Sequence, residues 1–356
     1  MVDLDDVGAL ARLDSEDVLG AVERFAEQCR DAWEIGRATP NLPDAAGIDS
    51  IVVLGMGGSG VSGDVVQAVY DERVPLPMRT VKHYGPLPGW VGPNTLAFAV
   101  SYSGTTEETI AALTEAQRRG ARCIAVSSGG TLEEMANSAG QPHVKIPPGL
   151  QPRASLGYLT LPLIAALARM EVIPDPTDDV EEASKVLADI AARCHRDRGT
   201  SDNPAKDLAR QIVGRIPVVY GGPGLGAVAA YRFKCDLNEY GKTPAFWHFL
   251  PELDHNEIVG WNQLSDLTTE RAAIVLLRDE DDGARVDIRF EVTRALIEGN
   301  VADVIEVRSE GTSALARILS LILVTQLAAI YVGLAYGVDP GPVEAILKLK
   351  SELKAR

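Results

Sequence analysis

Twice along this chain a short, uncharged apolar run ends abruptly in glycines and hands over to a helix-like stretch. The first is Ile51-Val52-Val53-Leu54 running into Gly55-Met56-Gly57-Gly58-Ser59-Gly60; the second is Ile216-Pro217-Val218-Val219-Tyr220 running into Gly221-Gly222-Pro223-Gly224. A run that is apolar on both faces suits a strand covered by layers on either side, and glycines at its end allow a sharp turn into a helix. Further strand-like runs fall at 78–82, 95–101 and 121–127 in the first half and at 273–277 and 303–307 in the second. Helical periodicity occupies the stretches from about 61, 107–119, 156–170, from about 225, 286–298 and 312–335, after helices within 1–47. Strands alternating with helices of this length predict α/β structure with parallel sheets. The expectation is two similar, doubly wound parallel-sheet domains with flanking helices, at 1–172 and 205–356. Between them, 173–204 is turn-rich and acidic and reads as a linker region with a helix near 180–193.

Charge and cysteine usage narrow the function classes. The 356 residues carry a formal net charge of −16, which repels nucleic acid at long range and predicts no such partner. Any anion site must then be made locally, from backbone N–H groups, helix N-termini and a few cations. Cys29, Cys123, Cys194 and Cys235 are scattered without a CxxC pair, which fits a reducing compartment and neither a disulfide framework nor a zinc site. Met1-Val2-Asp3-Leu4-Asp5-Asp6 is acidic where an export signal would be basic, so a cytoplasmic location is expected. The uncharged stretch 318–338 is long enough to span a bilayer. Ser320, Thr325, Gln326, Gly333 and Gly337 dilute it, and a buried core helix with no membrane partner is the expectation.

Two turns are suited to anions. The run 55–60 matches GxGxxG, but the following strand ends Val81-Lys82-His83-Tyr84, without the acidic residue that would hold a ribose. A nicotinamide cofactor is therefore disfavoured, and what remains is a glycine turn opening a helix toward an anion. In the second, Ala97-Phe98-Ala99-Val100 leads into Ser101-Tyr102-Ser103-Gly104-Thr105-Thr106-Glu107-Glu108-Thr109, placing hydroxyls where a strand becomes a helix. A hydroxyl-rich N-cap with a capping box would explain this loop alone. Two such turns at the ends of strands in one sheet favour a ligand. The second half adds titratable candidates in Asn238-Glu239-Tyr240-Gly241-Lys242-Thr243-Pro244-Ala245-Phe246 and Pro251-Glu252-Leu253-Asp254-His255-Asn256-Glu257-Ile258. Taken singly, Glu239 and His255 have ordinary explanations, a solvated helix face and a surface histidine.

Taken together, these segments, with Pro152-Arg153-Ala154 and the terminal Leu347-Lys348-Leu349-Lys350-Ser351-Glu352-Leu353, resemble the bifunctional phosphoglucose/phosphomannose isomerases, two-domain members of the sugar isomerase (SIS) superfamily. The resemblance runs from about residue 20 to the end of the sequence. It implies two SIS-type domains and a metal-free aldose–ketose isomerase acting on hexose 6-phosphates, with no cofactor. It implies phosphate binding by Gly57, Gly58, Ser59, Ser101, Ser103 and Thr106. Glu239 would shuttle the proton between C1 and C2, His255 would assist ring opening and Arg153 would steady the enediolate. A C-terminal lysine also belongs to the family site; Lys350 fits it better than Lys348. A homodimer with shared active sites is expected, His255 reaching the neighbouring subunit from the partly apolar Trp247–Trp261 segment. The chemistry is coherent: deprotonating a carbon beside a carbonyl needs a carboxylate and positive charge near the oxygen, and no HExxH-type metal spacing occurs. Amino-sugar phosphate isomerases or deaminases, and non-catalytic SIS modules that sense a sugar phosphate, are the alternatives.

Overall fold

A computed structural model describes residues 1–355, the Lys354 side chain excepted. The chain divides into two compact units that interleave along the sequence. One comprises Arg24–Asp189 with Ser309–Ser320; the other comprises Met1–Glu23, Ile190–Arg308 and Leu321–Arg356. Consecutive blocks at 1–172 and 205–356 therefore describe the order of the sheets along the chain and not the contact units, because the first helices group with the later sheet. The region 173–204 is also largely structured: it holds the helix Thr177–Arg193 and a short turn at Thr200–Asp202.

The unit built on Arg24–Asp189 contains β1 (Ser50–Leu54), β2 (Met78–Val81), β3 (Thr95–Val100), β4 (Arg122–Ser127) and β5 (His143–Lys145), all parallel in the order β2-β1-β3-β4-β5. β1 and β3 are buried along their whole length, as both-sided apolar runs require. The chain adds β2 on one side of β1 and then returns to place β3 on the other. That reversal opens a crevice at the carboxyl ends of β1 and β3, where the two glycine- and hydroxyl-rich turns lie. Beneath it Val52, Leu54, Ala97, Ala99 and Leu113 pack in one core cluster.

The other unit repeats the plan with four strands. β6 (Ile216–Gly221), β7 (Phe246–Phe249), β8 (Ala272–Arg278) and β9 (Asp303–Arg308) are parallel in the order β7-β6-β8-β9. The helix Leu225–Glu239 joins β6 to β7 and ends at the expected carboxylate. The long apolar helix Ala314–Ala335 meets the length and hydropathy of a membrane span but is almost wholly buried within the protein. Gly333 on it has a specific purpose: a β-carbon there would lie 2.3 Å from the Tyr240 carbonyl oxygen, so only glycine lets this helix approach the turn after Glu239.

Candidate active site

The two turns of the first sheet are joined directly. The Tyr102 backbone N–H donates to Ser59 Oγ at 3.3 Å, and both residues are buried. Ser101 Oγ and Thr106 Oγ1 share a hydrogen bond of 2.8 Å, and the Gly104 N–H donates to Ser101 Oγ at 3.2 Å. Ser103 Oγ and Thr105 Oγ1 pair at 3.0 Å on the exposed side of the loop. Gly104 has φ +69°, and a β-carbon there would lie 1.7 Å from the Gly129 carbonyl oxygen, so this turn admits no larger residue.

Thr106 is the N-cap residue of the helix Glu107–Arg118, yet its hydroxyl makes no side-chain cap and turns to Ser101 instead. Met56, the N-cap of the helix Gly57–Tyr70, likewise supplies no side-chain cap. The unit thus presents two helix N-termini without side-chain caps at adjoining strand ends, with Gly57 and Gly58 accessible and several hydroxyls between them. Oriented N–H groups and helix dipoles of this kind favour a dianion such as a phosphate monoester. Lys82, after β2, forms an ion pair with Asp64 where a dinucleotide site would need a carboxylate.

Arg153 belongs to the same neighbourhood. It is buried in the turn Pro152–Ala154, which packs against the helix Gly57–Tyr70. Tyr102 ties this region to the second turn: its hydroxyl donates to the Pro147 carbonyl at 2.9 Å and accepts from the Leu150 N–H at 2.7 Å. Gln28 Nε2 donates to the Ala154 carbonyl at 3.0 Å. One unit therefore gathers Gly57, Gly58, Ser59, Ser101, Ser103, Thr106 and Arg153.

The other unit holds Glu239, His255 and Lys350. Glu239 is half-buried on the last turn of its helix, and Lys242 Nζ donates to its backbone carbonyl at 2.7 Å. One and two turns below it on the same helix lies a buried ion pair that sequence reasoning missed, Arg232 Nε to Asp236 Oδ2 at 2.8 Å. Burial works against the Arg232 charge, but Asp236, Tyr240 and Glu239 together hold its pKa above the ordinary value. An i,i+4 pair normally reads as a solvated helix face, so only unusual burial distinguishes this one.

Around His255 every polar neighbour is engaged. Asp254 accepts from Arg289 at 2.7 Å and from Thr293 at 2.8 Å. Asn256 donates to the Glu252 carbonyl at 3.1 Å, and Glu257 accepts from the buried Tyr220 hydroxyl at 2.6 Å. His255 itself is exposed at the end of its turn. Lys348 and Lys350 are exposed on the terminal helix Glu344–Lys354.

The second sheet's own crevice is unlike the first. Gly222 follows β6, and a β-carbon there would lie 2.1 Å from Asp282 Oδ1 in the acidic turn after β8. Burial pushes the Asp282 carboxyl up to about 7. A carboxyl group thus lies beside the glycine turn of the second sheet, whereas hydroxyls line the turns of the first.

Two parallel sheets of this topology, with anion-suited turns at the switch point of the first, define a two-domain SIS protein. Residues 46–169 match the SIS domain, and residues 201–353 match the bacterial phospho-glucose isomerase C-terminal SIS domain. A bifunctional phosphoglucose/phosphomannose isomerase from Caldicellulosiruptor bescii is 37% identical over 333 residues, spanning 94% of this chain and 98% of that protein. One from Aquifex aeolicus is 35% identical over 340 residues, 95% of this chain and 99% of the relative. A solved glucose-6-phosphate isomerase like protein from Thermus thermophilus shares the fold, with a TM-score of 0.64 at 21% identity, covering 96% of this chain and 99% of that one. The chain belongs to the bifunctional phosphoglucose/phosphomannose isomerase family.

Proposed function

We infer that the protein is an aldose–ketose isomerase that interconverts glucose 6-phosphate and mannose 6-phosphate with fructose 6-phosphate. The observation that carries this reading is the pair of helix N-termini without side-chain caps, linked through Ser59 and Tyr102, in a chain of this family. In this reading Gly57, Gly58, Ser59, Ser101, Ser103 and Thr106 hold the phosphate. His255 exchanges a proton with the ring oxygen as the sugar opens. The Glu239 carboxylate takes the C2 proton of the open-chain aldose and returns it to C1, leaving the ketose. Arg153 and Lys350 offset the charge that develops on the enediolate oxygens. The net change moves the C2 proton to C1 and the O2 hydroxyl proton to O1 as the double bond shifts from C1 to C2, so no oxidant enters the balance.

We further propose a cytoplasmic homodimer in which His255 serves the partner's site. Its support is the exposure of His255 amid engaged neighbours, together with Phe246, 59% exposed on the edge strand β7. The test is turnover of the three hexose 6-phosphates by purified protein with and without EDTA, beside ammonia release from glucosamine 6-phosphate. Isomerisation without ammonia is the expected result. Ammonia release without hexose turnover would establish the amino-sugar alternative, and binding without turnover the sensor.

A further inference from the structure

The first sheet carries a third turn of the same kind. β4 ends at Ser127, and Ser128, Gly129 and Gly130 lead into the helix Gly130–Ser138. This turn is clamped onto the loop 101–106. Ser128 donates twice to the Tyr102 carbonyl, from its backbone N–H at 2.9 Å and from Oγ at 2.7 Å. The Leu132 N–H donates to the Gly104 carbonyl at 3.0 Å. The approach is close: the Gly129 carbonyl lies against Gly104, and a β-carbon on Gly130 would lie 2.6 Å from the Ser103 carbonyl oxygen.

Gly129 and Gly130 have φ of +152° and +72°. Two consecutive glycines leave a turn conformationally free, so bonds must hold its shape. Ser128 and Leu132 hold its flanks, and Ser127 with His143 holds the Gly129 peptide between them. The buried Ser127 hydroxyl donates to the Gly129 carbonyl at 2.8 Å, accepts from the Gly129 N–H at 3.3 Å and shares a 2.8 Å bond with His143 Nε2. His143 stands on β5 with its side chain only 6% exposed and Nδ1 3.8 Å from the Glu133 carboxylate, which also accepts from Lys145 at 2.9 Å. An apolar residue is the ordinary occupant of such a position, and a buried imidazole is tolerated where it is hydrogen-bonded.

Resting on the reading of the loop 101–106 as a phosphate site, we propose that Ser127 and His143 are positioning residues for phosphate binding. Neither is open to a ligand; they fix the Gly129 peptide against which Ser103, Gly104 and Thr105 pack.

Kinetics on fructose 6-phosphate and calorimetry with a hexitol 6-phosphate test this on wild type, Ser127→Ala, His143→Leu, His143→Gln and Thr106→Ala. Ser127→Ala and His143→Leu are expected to weaken the inhibitor about tenfold and to raise KM by the same order, with kcat within about twofold of wild type. His143→Gln places an amide, able to donate or accept, near the imidazole Nε2 position and should restore both values to within about threefold of wild type. Imidazole nitrogen NMR reads the same link in the unaltered protein, the His143 signal being assigned by its loss in His143→Gln. That signal should move on adding the hexitol 6-phosphate and stay in place on adding the hexitol without phosphate. Unchanged affinity and KM in Ser127→Ala and His143→Leu would overturn the positioning role. So would a weakening that His143→Gln does not relieve, or a His143 signal indifferent to the phosphorylated ligand. A Thr106→Ala protein that binds the inhibitor as tightly as wild type would remove the phosphate role of the loop itself, and the proposal with it.

Discussion

The Tyr102 backbone N–H reaches across from the second turn to Ser59 Oγ at 3.3 Å, so the two anion-suited turns are positioned by one shared hydrogen bond. Removing that hydroxyl should disturb both turns together. Ser59→Ala is expected to weaken binding of a phosphate-bearing inhibitor by about tenfold or more, since hydrogen bonds to charged groups contribute about 1.5–3 kcal/mol. Thr106→Ala should act in the same direction, because its hydroxyl is directed to Ser101 and not to a cap. Titration calorimetry of each variant with a hexitol 6-phosphate checks this, and unchanged affinity would reduce the loops to structural turns.

Glu239→Gln should separate chemistry from binding. A general base is worth about 10²–10⁴-fold, so kcat should fall by that order while inhibitor affinity and melting temperature change little. Asp236→Ala, three residues before it on the same helix, should behave oppositely. It leaves the buried Arg232 uncompensated, which costs about 3–5 kcal/mol and should lower the melting temperature clearly. Thermal melts and steady-state kinetics on both variants distinguish the roles.

The strands that form these sites were the most legible part of the sequence, for a physical reason. β1, β3 and β8 are buried from end to end and therefore read as unbroken apolar runs. β7 was missed because Phe246 and Trp247 lie exposed on an edge and leave no inward–outward contrast; β5 has only three residues. The helices Gly130–Ser138 and Pro204–Ile212 also went unread, and the helix expected from about 61 begins at Gly57, inside the glycine turn itself. Among the site residues, the hydroxyl-rich loop was visible from composition, but the turning of Thr106 toward Ser101 was not. A threonine before two glutamates reads as a cap whether or not it caps. The Arg232–Asp236 pair was hidden for a similar reason, since spacing alone does not reveal burial.

Asp282 should make stability depend on pH. Burial raises its folded pKa to about 7 from the ordinary 3.8 of an aspartate. Between those values the folded state binds more protons than the unfolded one, so stability falls as pH rises through that window. Asp282→Asn keeps an acceptor for the Asp279 N–H, which lies 3.0 Å from Asp282 Oδ2, and removes the charge. The variant should therefore melt at a higher temperature than wild type at pH 8, with the difference shrinking toward pH 4. A constant difference across that range would remove Asp282 from the linkage.

Subunit mixing tests whether His255 serves a neighbour. Glu239→Gln and His255→Ala chains, each inactive alone, are refolded together in equal amounts with exchange verified by native mass spectrometry. In a two-fold dimer with shared sites, half the dimers are mixed and each has one intact site, so activity should return to roughly a quarter of wild type. Activity that stays near zero would place both residues in the site of their own chain.

Proton transfer through an enediolate is the central claim, and deuterium reports it most directly. Purified protein is incubated with fructose 6-phosphate in D₂O containing EDTA, and the aldose products are read by NMR. The account predicts glucose 6-phosphate and mannose 6-phosphate carrying protein-dependent deuterium at C2, because the abstracted proton can exchange with solvent while it resides on Glu239. Aldose products free of deuterium would indicate hydride transfer and contradict the account, as would turnover that EDTA abolishes and zinc restores.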